Sequence, residues 1–515
     1  MKSMFVSAGA AITVLAAASQ ACAAGAPAAP ADAAAGSAYL RCDGAPASWN
    51  SGQEVGRVLV IMATMGLSGP MREWGDLSKR LEGDDGVAAC TEALAKETNE
   101  IRRVELILAR AAHEIEAKKY QAALDDARAA PAAAPSKAND LGFRRTLFVS
   151  AQLLQAAALV GQGQSAEAEA LALEAAQPWP YDVVVMARSG HFVGLTPGMS
   201  DTKRAFYDQF EKLMPIALPS RAAADQWAGD YRHATRTYEA VLDLQSGFIT
   251  ETSPGSRATI SVTQAMSGDM EASNATAAAM RAELEQAGKS ADAVRDVSGQ
   301  SLTEELLDFQ AVIRAASEGR LAQARAAFAS RSRWTAVNAF VVAAMTERLR
   351  QGASPSELTG ALARDPEAIR KDALAAAADA ALTVKPGARS YLYDTIIPYL
   401  DVADLGRFSR SVWKGDKSPY LIKRTGREKY DGEGFRVPVT DVTSLGAADA
   451  LLLHCAVVAR ARGKSGFVFS WTRNLNSAIV RFGERGDKGF PPEAFFSAAE
   501  VIAALSTEMP DPSAR

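Results

Sequence analysis

One phrase recurs along this chain: a helix ends in a tight turn, and an alanine-studded helix follows. Its copies read AKKYQAA at residues 117–123, GQGQSAEA at 161–168, GDYRHA at 229–234 and GRLAQA at 319–324. Small residues at fixed offsets let paired helices cross closely, and such pairs stack into a solenoid. The pattern therefore predicts a mainly α-helical repeat array, an architecture whose concave face usually binds other chains.

Residues 1–24 predict an export signal. Lys2 supplies a positive charge, and residues 4–18 form an apolar, alanine-rich core that is too short to cross a bilayer comfortably. Small residues such as Ala21 and Ala23 then provide a cleavage site. We therefore expect an exported, periplasmic protein.

A lipoprotein signal is the alternative interpretation, because Cys22 stands where an acylated cysteine could lie. Ser19 takes the place of the large aliphatic residue three positions before that cysteine, which disfavours lipidation. Residues 25–37 form an alanine- and proline-rich tether that lacks the large apolar residues a core requires. Charged residues interrupt every later apolar run, so we predict no membrane span.

The charge pattern argues against two classes of partner. The chain carries 56 basic and 60 acidic residues, and the two signs are interspersed without a basic stripe. We therefore expect no nucleic-acid partner, and electrostatics give little support for a role at a membrane surface. The roughly 475 residues after the tether are enough for two or three domains.

Three cysteines follow the predicted cleavage site. Export permits a disulfide, and Cys42 with Cys90 is the natural pair because both lie near the start of the helical array. Two buried thiols are the alternative for this pair. Cys455 lies in an apolar helix, where a buried and unreactive thiol is expected.

Residues 107–112 and 120–127 together resemble a tetratricopeptide repeat (TPR) of an exported bacterial protein. The small or terminating positions of this first unit are Ala111, Ala123, Ala127, Ala130 and Pro135. Those of the second unit are Ala156, Gly163, Ala168, Ala172, Ala175 and Pro180. The third unit offers Ala222, Gly229, Tyr231, Ala234 and Tyr238, and the fourth offers Gly319, Leu321, Ala324 and Phe328.

The resemblance has departures. The units are unevenly spaced, a loop is inserted at 131–139, and residues 181–218 contain no clean match. The tryptophan near the start of the family's first helix is missing, and a unit beginning at Gly268 carries Ser273 in place of alanine. Another class of α-solenoid therefore remains open. The resemblance implies helix pairs whose surface binds a protein or peptide.

The full prediction is a TPR-like solenoid followed by a small α/β module. Its parts are the signal peptide (1–24), the tether (25–37), a helical cap (38–85), the repeats (86–413), a linker rich in Lys, Arg and Gly (414–434) and the module (435–510).

Local patterns add finer expectations. A turn is predicted at residues 83–86, before a helix that begins at Val87. A last pair of helices is predicted at 389–400 and 402–413. In the module we predict strands at 435–439, 466–471 and 478–482, and helices at 447–462 and 493–505.

The search for chemistry predicts no catalytic, cofactor-binding or metal-binding residues. The four histidines, His113, His191, His233 and His454, lack ligand-spaced partners. His454 and Cys455 are adjacent on a helix and project about a hundred degrees apart, which is poor geometry for a nucleophile and its base. The GKS sequence at 463–465 follows a helix and lacks the upstream glycine of a phosphate loop, which indicates a helix C-cap.

The function predicted from the sequence is a periplasmic scaffold or adaptor that binds another protein or peptide, without catalysis. Residues proposed for a groove are Arg103, Glu105, Arg110, Glu114 and Arg144. One alternative makes the C-terminal module an enzyme or ligand-binding domain, with a polar cluster at Arg473, Asn474, Asn476 and Arg481. The other alternative is a structural envelope component that assembles with itself.

Overall fold

The computed structural model shows a mainly α-helical protein with a small antiparallel sheet near its C-terminus. It describes residues 37–47, 76–245, 254–288, 297–382, 391–401, 403–417, 432–437, 444–471 and 477–514. The predicted signal peptide, almost all of the tether and most of the linker lie outside these ranges. Among the helices of the described ranges, none is both long and apolar enough to cross a membrane.

The helices are numbered in chain order. The first nine are α1 (Ala38–Asp43), α2 (Gly83–Leu94), α3 (Glu100–Glu116), α4 (Tyr120–Ala129), α5 (Val149–Gly161), α6 (Ser165–Ala176), α7 (Val183–Ser189), α8 (Asp201–Leu213) and α9 (Leu218–Trp227). Next come α10 (Tyr231–Gln245), α11 (Pro254–Met266), α12 (Met270–Gly288), α13 (Val297–Ser317), α14 (Leu321–Ala329), α15 (Ala339–Arg350) and α16 (Pro366–Leu382). The last three are α17 (Ala403–Val412), α18 (Ser444–Ala461) and α19 (Ala498–Leu505). A single turn, Leu141–Phe143, and a π-helical segment, Arg144–Phe148, lead into α5.

Five helical hairpins share one turn geometry: α3–α4, α5–α6, α9–α10, α11–α12 and α13–α14. Each turn holds one residue with a left-handed backbone, and these residues are Lys118 (φ 59°), Gly163 (79°), Gly229 (77°), Gly268 (90°) and Gly319 (78°). The N–H of the next residue donates to the carbonyl five residues earlier, as from Gln164 to Leu159 at 2.9 Å and from Arg320 to Ala315 at 2.9 Å. This arrangement satisfies carbonyls that the end of the first helix would otherwise leave unpaired.

The second helix of each hairpin places one small residue against the first helix. These residues are Ala123, Ala168, Ala234, Ser273 and Ala324, and each is fully buried. Ser273, the residue that departs from the alanine pattern, donates its hydroxyl to the Ser261 carbonyl at 2.7 Å and so pays no penalty for an unpaired polar group. A small side chain at this crossing is therefore a common requirement of all five hairpins.

The hairpins form two groups that meet. In the first group α3, α4, α5 and α6 pack in order, and α3 also packs on α5; in the second, α11 packs on α10, α12 and α13. Helix α16 joins the groups, because Ile369 near its start lies in the core of the second and Ala381 near its end lies in the core of the first. Elsewhere, the Trp227 ring of α9 stacks on the Phe340 ring of α15, with the ring centroids 4.5 Å apart.

The C-terminal sheet has strands β1 (Glu433–Arg436), β2 (Gly466–Trp471), β3 (Ser477–Gly483) and β4 (Phe495–Ser497). Their order is β1-β3-β2-β4, and every pairing is antiparallel. Phe467 and Phe469 of β2 share a core with α18, whereas Val468 between them packs with Leu218 and Val241 of α9 and α10. Since successive strand residues face opposite sides, the sheet is covered by helices on both faces.

Three local predictions are wrong in detail. Residues 83–86 are the first turn of α2, where Asp84 and Asp85 favour the positive end of the helix dipole. The helix predicted at 493–505 begins only at Ala498, because 495–497 pairs with β2 as an edge strand. The helix predicted at 389–400 is limited to the turn Tyr391–Asp394.

Thr395 and Ile396 complete this turn, and residues 397–401 have no regular secondary structure and contact the first group. Pro398 disfavours a helical conformation at Ile397, and the Ile397 N–H donates to the Ser150 hydroxyl of α5 at 2.8 Å. A Cβ added at Gly142 would lie 1.8 Å from the Leu400 carbonyl oxygen, so only glycine permits this close approach. This segment thus packs against α5 and against the turn Leu141–Phe143 that precedes it.

A disulfide between Cys42 and Cys90 ties α1 to α2, with their Cα atoms 4.6 Å apart. The Cys42 carbonyl lies 2.7 Å from Nε2 of the buried His113 and accepts a bond from the Tyr393 hydroxyl at 3.2 Å. The pair named from the sequence is therefore the pair that the structure joins, and the Cys42 carbonyl also holds the turn Tyr391–Asp394 through Tyr393.

The turn geometry predicts opposite effects for two substitutions. Lys118→Gly should raise the free energy of unfolding by about 0.5 kcal/mol, because a left-handed backbone is strained for lysine. Gly319→Ala should lower it by about 1 kcal/mol, since open space surrounds the added Cβ and the backbone conformation alone is unfavourable. Urea unfolding followed by circular dichroism measures both. Gly319→Ala with unchanged stability would contradict the shared role of the turns.

The disulfide predicts a second stability effect. The bridge closes a loop of 48 residues, so the Cys42→Ser/Cys90→Ser variant should lose about 4 kcal/mol in the chain-entropy description. Denaturant midpoints of the oxidised, reduced and doubly substituted proteins measure this loss. The reduced protein should match the variant; equal stability of all three would rule out a stabilising bridge.

Candidate functional site

Two shallow depressions lie side by side on α10 and share Glu239. The first, here called the α11 depression, lies among α10, α11 and α12 and measures about 280 Å³. The second, the loop depression, lies between α10 and the segment after β3 and measures about 300 Å³. Together they form a strip along α10 of the second group of hairpins.

The α11 depression combines an apolar wall with a polar floor. Leu242, Ile260, Ala279 and Met280 supply the apolar surface. The buried Gln264 lies among them and accepts a bond from the Thr276 hydroxyl at 3.0 Å.

Charges border the α11 depression. The Glu239 carboxylate is hydrogen-bonded by the Gln264 side chain. The pKa of Glu239 is raised, because burial and the nearby charge of Asp269 outweigh the lowering effect of the Gln264 bond. Arg257 also borders the depression and pairs with Glu283 at 2.5 Å.

The loop depression is rich in charge. Acidic residues contribute Glu239, Asp243, Asp487 and Glu493, and basic residues contribute Arg236 and Lys488. Asp243 also accepts the Gly489 N–H at 2.8 Å, which fixes the loop against α10. The strip therefore carries more carboxylates than cations.

A buried ionic cluster lies beside the strip, centred on Arg221 of α9. Its guanidinium pairs with Asp225 at 3.0 Å and with Asp208 at 2.8 Å. Asp225 also accepts a hydrogen bond from Nδ1 of His233 across 2.7 Å, and the Thr237 hydroxyl lies 3.5 Å from the same nitrogen. Because the Thr237 side chain is fully buried, this hydroxyl is out of reach of a substrate in solution, and the Asp225–His233 pair serves to orient the imidazole.

Glu211 of α8 adds an acid to this cluster. Burial raises the pKa of Glu211 well above its usual range; Arg221 lowers it, and Asp208, Glu493 and Asp225 raise it further. Burial of Glu211 thus favours its neutral form relative to the carboxylate. Within the part of the chain that the structure describes, no group of three or more acidic, histidine or cysteine side chains is arranged to hold a metal ion.

A second ionic cluster joins the first group of hairpins to the C-terminal sheet region. Arg145 of the π-helical segment pairs with Asp182 at 2.5 Å, with Glu508 at 2.9 Å and with Asp449 of α18. Burial raises the pKa of Asp449 to about 7; Arg145 opposes this shift, and the charges of Asp182 and Glu508 reinforce it. One cation thus faces three carboxylates, and protonation of Asp449 relieves their repulsion.

The histidines and Cys455 have structural surroundings. His113 bonds Glu116 across 2.9 Å, and His454 bonds the Val412 carbonyl across 3.0 Å and contacts the Phe435 ring edge-on. Cys455 is a buried free thiol whose pKa is raised well above its usual range by burial. These contacts describe helix packing and not a reactive pair.

The GKS sequence is a helix C-cap. Gly463 has a left-handed backbone (φ 68°), and the Lys464 N–H donates to the Ala459 carbonyl at 2.9 Å. In the polar cluster proposed for the module, Arg473, Asn474 and Asn476 lie outside the described residues. Arg481 stacks on Phe490 with its guanidinium 5.2 Å from the ring centroid, and Gly489 lies against the same guanidinium.

Two of the five residues proposed for a groove, Arg103 and Arg110, link α3 to neighbouring elements instead. Arg110 pairs with Asp126 through two nitrogens, at 2.5 and 2.8 Å, and Arg103 donates to the Leu94 and Glu97 carbonyls. Glu105 pairs with Arg102 of the same helix at 3.1 Å. Burial raises the pKa of Glu114 to about 7. The Arg144 side chain is exposed. The strip around Glu239 was missed from the sequence because its walls come from three helices and a distant loop.

Comparison with known proteins adds no relative: no family model, no curated protein and no solved structure matches this chain.

The Arg145 cluster predicts a pH effect. A protonated Asp449 stabilises the fold below its unfolded pKa near 4, and this contribution is lost as the pH rises towards 7. Asp449→Asn keeps an acceptor for Arg145 without the charge, so its stability relative to the parent should increase by on the order of 2 kcal/mol from pH 5 to pH 8. Urea unfolding at both pH values measures the difference.

Asp372→Asn is the matched control, because Asp372 forms an exposed pair with Arg364. Its effect should be the same at both pH values within a few tenths of a kcal/mol. A pH-independent difference for Asp449→Asn would contradict the proposed protonation.

Proposed function

We propose that this chain is an exported, periplasmic scaffold or adaptor whose TPR-like hairpins bind an extended segment of another protein. The observation that carries the proposal is the set of five hairpins with one turn geometry and one buried small residue at each helix crossing. Repeated helix pairs of this kind offer long surfaces made of side chains from successive units, which suit extended chains.

The segment 395–401 supports this proposal from within the molecule. It contacts the first group through the Ile397 N–H, which donates to the Ser150 hydroxyl of α5, and through buried side chains such as Ile397 and Leu400. Such hairpins can therefore accept a non-helical segment. Since this segment already occupies part of the first group, we assign the partner to the second group, α9 to α14.

The Cys42–Cys90 disulfide supports the proposed compartment. Disulfides persist in oxidising environments such as the bacterial periplasm and are rare in the cytosol. The pair lies at the start of the helical array, where it braces α1 against α2. Tracking the processed chain in fractionated cells, with and without residues 1–24, tests the location.

The adaptor proposal predicts selectable peptide ligands. Panning of a random peptide library against the chain without residues 1–24 should enrich sequences that bind one to one. Glu304 is exposed on α13, the first helix of the fifth hairpin, so Glu304→Lys should weaken such a peptide roughly tenfold by charge reversal. Fluorescence anisotropy with the labelled peptide measures the change.

Glu167→Lys is the matched control, because Glu167 is exposed on α6 of the first group. It should leave the affinity unchanged. Failure of every enriched peptide to reach saturation would contradict the adaptor proposal, and a solution mass several times that of one chain would favour the self-assembling alternative.

A further inference from the structure

We propose that the α11 depression binds a lysine or arginine side chain of the partner segment, with the Glu239 carboxylate as its counter-ion. This inference rests on the proposed adaptor function and adds the chemistry of one recognised residue.

The charges select a cation. Arg257 at the edge of the depression already pairs with Glu283, so its charge is compensated. The partner of Glu239 is the neutral amide of Gln264, and among the described residues no lysine, arginine or histidine forms an ion pair with Glu239. An incoming ammonium or guanidinium would supply the missing counter-charge.

The shape and lining suit a long basic side chain. The methylene stem would lie against Leu242, Ile260 and Met280, as basic side chains do when the stem is buried and the charge stays near water. A lysine side chain has four methylene groups and an ammonium group, and each occupies about the volume of one water molecule. The side chain therefore needs roughly 150 Å³. The depression offers about 280 Å³.

The neighbouring surface suits a segment with more than one basic residue. Asp487 and Glu493 continue the acidic character into the loop depression, beside Arg236 and Lys488. A peptide that places one basic side chain beside Glu239 can place the next over these carboxylates. Charge complementarity of this kind speeds the encounter between the peptide and the strip and fixes the register of the peptide on it.

Methyl NMR on the full-length, deuterated chain tests the inference directly. The probe is N-acetyl-lysine N-methylamide, and the reporters are the Met280 ε-methyl and the Ile260 δ1-methyl, assigned with Met280→Leu and Ile260→Val. Both signals should shift saturably at millimolar probe. N-acetyl-norleucine N-methylamide, which lacks the charge, should bind roughly threefold to fivefold more weakly.

Substitutions locate the effect. Glu239→Gln should lower the affinity for the lysine probe to that of the norleucine probe, with the other methyl signals unmoved. Glu271→Gln, an exposed change on α12 outside the depression, should leave the affinity as it is.

Three outcomes would overturn the inference: equal binding of lysine and norleucine probes, no saturable shift up to about 50 mM, or unchanged lysine binding by Glu239→Gln. Selected peptides that still bind through α13 would then show that the adaptor proposal stands and that only this pocket assignment fails.

Discussion

The close crossing of two helices over one small side chain is the constraint on which the structure depends. At each of the five crossings a larger residue would separate the helices, and the turn that joins them requires a left-handed backbone. Gly161 shows how tight this packing is, because an added Cβ would lie 2.3 Å from the Tyr120 ring of the neighbouring hairpin. Stacking of the hairpins follows from these local fits.

Features with a local signature could be predicted from the sequence. Propensity and periodicity account for the glycine turns at 163, 229, 268 and 319, for the strand Gly466–Trp471, and for the helix Ser444–Ala461 that the sequence predicts at 447–462. Other features have no local signature. The packing of α16 on α5 and of residues 395–401 on α5 depends on partners more than a hundred residues away in the chain. Strand β4 forms because it pairs with the edge of the sheet. Arg145 shows the same limit for charges, since nothing near it in the chain indicates Asp449 or Glu508.

The buried ionic clusters determine where the C-terminal region docks on the helices, and they add little to the overall stability of the fold. Desolvation offsets much of the attraction in a buried ion pair, whereas loss of one partner leaves a costly uncompensated charge. Arg145 therefore disfavours any arrangement in which α18 and the C-terminal residues dock elsewhere on the helices. Asp182 serves twice, because it also caps α7 by accepting the Val184 and Val185 N–H groups.

The contact between residues 397–401 and the first group has a consequence for how the molecule assembles during its biosynthesis. Ile397 lies 247 positions after the Ser150 that receives its N–H, so α5 is synthesised long before this contact can form. Closing so long a loop opposes early docking and slows the formation of the native contacts. The first group of hairpins therefore completes its packing only after the chain has been made as far as Leu400.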